Sequence, residues 1–189
     1  MRNLSIIIIL ALLVGCNVRP EDNVTTDSYF NLEKLLNQEI EYLLSQNAGL
    51  EKSLTSNGIR ENTNFQPQTK DDWESQLSLF FDANIDKPGY KGAFYEEQLS
   101  PLSGVSKTIY TAKSSKTAVR TFECLYSDDL LSQINIQIGE KNMIFTSLKT
   151  LKLYFDPNGE HIIGFDVEGQ ENMQLKEDME YSIQAVITY

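Results

Sequence analysis

The chain has 189 residues, a formal net charge of −11, one histidine and two cysteines. Its length suits one domain with a sizeable core behind any leader. So acidic a surface is repelled by phosphate backbones and anionic headgroups, which disfavours nucleic-acid binding and purely electrostatic membrane docking, and a single histidine excludes any metal site built on a histidine pair.

The chain opens on a secretory pattern. Arg2 supplies a minimal positive n-region, Ile6 to Leu13 an apolar core, and Gly15 the small residue at a cleavage point. The apolar run is well short of the ~20 residues that span a bilayer, so a removed leader is the better reading than a transmembrane helix. Leu13-Val14-Gly15-Cys16 resembles the lipobox of bacterial lipoproteins at every position. The resemblance implies that Cys16 becomes the mature N-terminus, with a diacylglycerol thioether on its sulfur and a fatty acyl group on its amine. The alternative is ordinary secretion with cleavage elsewhere, but no A-x-A site follows the apolar run. Two or three acyl chains give stable attachment where one gives only reversible binding.

Residues 1–15 are thus expected to be a signal peptide, 16–27 the lipidated cysteine and a flexible linker, and 28–189 a single α+β domain. Asn17 to Asp27 is polar, contains Pro20 and lacks apolar periodicity. Eleven residues of flexible chain typically span roughly 20 Å, enough to clear the headgroups without setting an orientation. In lipoproteins, retention at the inner membrane goes with Asp directly after the cysteine. Here that residue is Asn17, which points to the outer membrane of the cell envelope. Glu21-Asp22 lies further along than the acidic cluster that accompanies surface export, so the face of the membrane stays open. More loosely, the mature chain is similar to envelope lipoproteins of the Bacteroidota: a helix, then polar antiparallel strands with NG and PNG turns.

Residues 28–46 read as an amphipathic helix, with Tyr29, Leu32, Leu36, Ile40 and Leu43 on one stripe, Asp27 or Ser28 as cap and Gly49 as stop. Asn57-Gly58 signals a type I′ hairpin between Leu50–Ser56 and Ile59–Phe65, whose weak apolarity suits a sheet edge. A second helix is expected from Asp71 to Ala83, with Thr69 and Asp72 at capping-box distance and Trp73, Leu77 and Phe80 on one stripe. Residues 85–105 lack clear periodicity, although Lys91 to Leu99 has the makings of a short helix. Their Tyr90, Phe94 and Tyr95 form a candidate binding loop, because aromatic rings offer large contact area at low entropic cost. The competing reading is that these rings fold under and plug one end of the sheet.

The C-terminal half is a run of alternating segments: Lys107–Ala112, Thr117–Tyr126, Ile134/Ile136/Ile138, Leu151/Leu153/Phe155, Ile163/Phe165/Val167 and Tyr181 to Ile187, with short turns between them. Short connections make neighbours antiparallel. The expected fold is α+β: a twisted antiparallel sheet, a meander of about five to eight strands, with two helices packed on one face.

Chemistry is hard to find. Cys124 lies on a strand face with Phe122 and Tyr126 and reads as a small buried hydrophobe, with no histidine nearby to activate it. His161 follows the turn Asp156-Pro157-Asn158-Gly159 and reads as exposed and structurally neutral. There is no G-x-S-x-G elbow, Walker loop or dinucleotide fingerprint, and the Asp156 turn lacks calcium-loop spacing. No cofactor or metal site is expected. The resulting expectation is a non-enzymatic, membrane-anchored binding or assembly component of the envelope, held to the membrane by lipid on Cys16 and open to an envelope protein partner. The alternative is a lipid or lipoprotein carrier with an apolar cavity under the helices. A third reading is a carboxylate-based hydrolase, whose two acids need only meet in space.

Overall fold

The computed structural model describes residues 28–174 and 178–189. The leader, Cys16 and the linker to Asp27 lie outside the described residues. The first helix, α1, is Leu32–Ser45, and it buries Leu32, Leu36, Ile40 and Leu43 as its spacing requires. It starts later than expected, capped by Asn31, whose side chain accepts from Lys34 N at 2.8 Å. Tyr29 and Phe30 are withheld from the helix because their rings are used elsewhere. Tyr29 meets Phe94 and Tyr110 edge-on at 5.4 and 5.7 Å, and Phe30 lies 5.6 Å from Phe122. The helix stops at Gln46, and Asn47 takes the left-handed conformation expected of Gly49. Gly49 instead opens the first strand.

Strands β1 (Gly49–Ser56) and β2 (Ile59–Phe65) form the expected hairpin, with positive φ at both Asn57 (46°) and Gly58 (83°). Such a turn suits the twist of the strands, and only glycine adopts the second position without strain. The single helix expected over 71–83 is two: α2, Lys70–Gln76, and α3, Ser78–Asp82, meeting at Leu77. The break lets Trp73, Leu77 and Phe80 all reach the core. The capping box is present: Thr69 Oγ1 accepts from Asp72 N at 3.2 Å, and the Asp72 carboxylate from Thr69 N at 2.9 Å. With Gln68 N, these donors hold the Asp72 carboxyl below its ordinary range.

Seven further strands follow: β3 (Phe94–Leu102), β4 (Val105–Ala112), β5 (Val119–Ser127), β6 (Leu130–Lys141), β7 (Phe145–Phe155), β8 (Ile162–Met173) and β9 (Met179–Thr188). Among the described residues the nine strands make one antiparallel sheet in the order β2-β1-β9-β8-β7-β6-β5-β4-β3. The run from β3 to β9 is a meander, and the last strand returns to pair with β1. Nine strands exceed the expected number, and the extra one is β3. Lys91 to Leu99 is no helix: Phe94 to Leu99 pairs residue for residue with Ala112 to Lys107. Pairing with a neighbouring strand overrides a weak local preference.

Two aligned rows floor the core. Cys124, Ile134, Leu153, Phe165 and Ala185 are successive cross-strand partners, as are Phe122, Ile136, Leu151, Val167 and Ile183. The helices lie on this face, where Phe80 of α3 meets Phe165 edge-on at 5.6 Å. Burying each such large side chain is worth about 1.5–3 kcal/mol, and among the described residues the one cysteine, Cys124, is free. Ile163 departs from the expected buried set: it is 41 % exposed, while Ile162 is buried. A register shift pairs Tyr154 with Gly164 but Phe155 with Ile162, so Ile163 is the extra residue of a β-bulge and turns outward.

Candidate functional site

Three places gather groups capable of chemistry or binding. The first is at the end of the sheet where β7 turns into β8. Glu39 of α1 is only 6 % exposed, and its carboxylate accepts from Ile162 N at 3.0 Å and lies 3.4 Å from His161 Nδ1. The His161 ring stacks flat on Tyr42, also of α1, with centroids 3.4 Å apart. The turn itself is closed by Asp156, whose Oδ1 accepts from Glu160 N at 2.8 Å and His161 N at 3.1 Å. Partial burial pushes the Asp156 carboxyl up, but these donors and the nearby imidazole together hold it below its ordinary value. His161 is therefore not the exposed, neutral residue expected of it. Its ring and its carboxylate partner pin α1 to the turn, and among the described residues no serine or cysteine is hydrogen-bonded to His161 or Glu39. A buried charge needs such partners, because an unpaired one is costly.

The second place is Cys124. It is fully buried, and burial pushes its thiol up to about 12, against a smaller opposing hydrogen bond with Tyr126. A thiol so protonated is neither a nucleophile nor a ligand at neutral pH.

The third is a groove of about 670 Å³ on the outer face of β1, β9, β8 and β7, open to solvent and of mixed lining, with Thr55, Leu148, Thr150, Glu168, Glu180 and Tyr181 among its residues. Two of its three carboxylates are engaged, Glu168 with Lys152 Nζ at 3.8 Å and Glu180 with Gln170 Nε2 at 3.3 Å; the third is Asp178. Among the described residues no group of three or more His, Cys, Asp or Glu side chains is placed to hold a metal ion. No helix among them is long and apolar enough to cross a membrane.

The candidate loop is divided by the strand it turned out to contain. Phe94 is 1 % exposed and packs on Tyr29. Tyr90, in the 3-10 turn Pro88–Tyr90, meets Phe94 edge-on at 5.6 Å and is half-buried against the core. Tyr95 alone is exposed, on the outer face beneath Lys113 Nζ at 4.9 Å. Alternation along β3 sends neighbouring rings to opposite faces, so the three make no common surface. Cys16 lies outside the described residues.

Two features escaped sequence reasoning. Glu39 sits three residues after Leu36 and four before Leu43, on the apolar stripe itself, and a carboxylate there signals a buried partner. Met143 and Ile144, in the turn between β6 and β7, are 90 % and 64 % exposed. Their signal is an apolar pair out of phase with the strands on either side. Comparison with protein-family models, with curated proteins and with solved structures finds no match for this chain.

Proposed function

We propose that the protein is a lipid-anchored component of the bacterial cell envelope that acts by binding or assembly and not by catalysis. The observation that carries this reading is Leu13-Val14-Gly15-Cys16 behind an apolar leader and ahead of a polar linker. Acylation of Cys16 places the domain on a membrane surface, and the suggested membrane is the outer one. The non-catalytic part draws support from the side chains most suited to chemistry. His161 and Glu39 serve the attachment of α1, and Cys124 is held protonated in the core. The carrier reading is less well supported: large side chains such as Trp73, Phe80, Phe122 and Phe165 occupy the layer between helices and sheet.

Fractionation of cells expressing the wild type and Cys16→Ser tests the anchor. The wild type is expected in the outer-membrane fraction and the variant in the soluble fraction or as unprocessed precursor. Identical membrane distribution of a processed variant would overturn the reading. His161→Ala and Cys124→Ala are expected to leave localisation and partner capture unchanged.

A further inference from the structure

We infer that the tip of the β6–β7 hairpin, Met143 and Ile144, is a bilayer contact, and that it sets which end of the sheet faces the membrane. The inference rests on the anchored reading above and goes beyond it, since acylation of Cys16 alone leaves the orientation of the domain free.

The tip is built as an inserting element. Its two apolar side chains project into solvent, 90 % and 64 % exposed. Its backbone is partly paired: Asn142 N donates to Phe145 O at 2.9 Å and Ile144 N to Asn142 Oδ1 at 3.0 Å within the turn, and Gln174 N, beyond the end of β8, donates to Ile144 O at 3.2 Å. A polar group already paired enters a low-dielectric layer without the penalty of stripping water from it. Met173, the cross-strand partner of Phe145, is 41 % exposed and widens the apolar surface.

Cations stand behind the tip. Lys113 and Lys116, in the β4–β5 turn, and Lys141, at the end of β6, are all exposed. Gly139 N donates to Ala118 O at 2.9 Å and Arg120 Nη2 donates to Gly139 O at 2.8 Å, which puts that turn beside the base of the hairpin. Long basic side chains at this level reach headgroups while the apolar tip goes deeper. Glu140 lies in the same ring and the whole chain is acidic, so the attraction is apolar first and electrostatic second.

The path of the chain selects a bilayer over other occupants. Tyr29 packs on Phe94, whose partner Ala112 immediately precedes the β4–β5 turn. The described chain therefore begins near the same end of the sheet as the tip. Tyr29 is level with Ile138, about five residues or roughly 16 Å of strand from Met143. Eleven residues separate Cys16 from Ser28, and a flexible chain of that length spans roughly 20 Å, enough for an acylated Cys16 and the tip to reach one membrane together. A rival apolar patch, with Leu102 at 70 % exposure, lies at the opposite end. It is eight residues along β3 from Phe94, about 26 Å further away.

The test uses the full chain, purified from membranes and reconstituted into vesicles of phosphatidylethanolamine and phosphatidylglycerol containing bromine-labelled lipid. Met143→Cys and Ser103→Cys are each labelled with an environment-sensitive fluorophore; buried Cys124 does not compete for label. Emission at position 143 is expected to shift to the blue and to be quenched at least about threefold more than at position 103, as insertion of an apolar element into the interface requires. Equal quenching at both positions, or greater quenching at 103, overturns the inference. So does a blue shift at 143 that tracks protein concentration without lipid, which would make the occupant a second copy. The mass of the Cys16 peptide, taken on the same sample, separates the two ideas. Acylation without quenching at 143 sinks the tip and leaves the anchor; quenching at 143 without acylation does the reverse.

Discussion

The two ends of the sheet carry neighbouring hairpin turns that are built on opposite principles. Where β7 meets β8, polar groups hold the turn to the rest of the molecule: Asp156 closes the loop, Glu39 reaches across from α1 to Ile162 N, and His161 lies on Tyr42. Where β6 meets β7, the turn is closed by its own groups and by one bond from Gln174 N to Ile144 O, and the Met143 and Ile144 side chains stand mostly in solvent. One turn stabilises the fold and has no spare surface. The other has surface to offer and contributes little to the fold.

That contrast can be broken in graded steps. The largest effect is expected from Phe165→Ala, which removes a core ring three residues beyond the tied turn: about 3–5 kcal/mol of stability by urea unfolding. A loss below about 1 kcal/mol would mean the β7–β8 register is misread. Glu39→Ala follows at about 2–3 kcal/mol, because it strands the buried Ile162 N–H and leaves His161 without its carboxylate. Glu39→Gln keeps an acceptor and should recover more than half of that. If the two variants are equal, charge and not the hydrogen bond holds α1 to the turn.

Gly159→Ala comes next, at about 1–2 kcal/mol. Its φ of +68° suits glycine, and a Cβ there would lie 2.8 Å from Leu131 N. The double change Met143→Ser with Ile144→Ser is expected to move stability by no more than about 0.5 kcal/mol, as for other exposed sites. Unfolding by that variant would erase the contrast and make the tip a structural element.

What the sequence disclosed follows from how local each signal is. The Asn57-Gly58 turn, the Thr69–Asp72 box and, Ile163 apart, the alternation of β5 to β9 depend on neighbours within a few residues, and these are present. The miss at β3 has the reverse cause. Phe94 to Leu99 becomes a strand because β4 stands beside it, and that partner is invisible to a local pattern. Ile163 leaves the face its alternation predicts because a bulge inserts one residue and flips the face, with no mark in composition. His161 was misjudged because its partner, Glu39, is 122 residues away. The aromatic trio failed as a site for the same reason as β3: three rings close in sequence are sent to two faces once the segment is extended. The resemblance of Leu13-Val14-Gly15-Cys16 to a lipobox is the most local signal of all, and the proposed function rests on it.

The most direct measurement is therefore the mass of the N-terminal fragment of the mature protein, purified from membranes. The anchored reading predicts a chain that begins at Cys16 and carries a diacylglycerol thioether with an acylated amine. A chain that begins elsewhere, or a Cys16 with a free thiol, would contradict it.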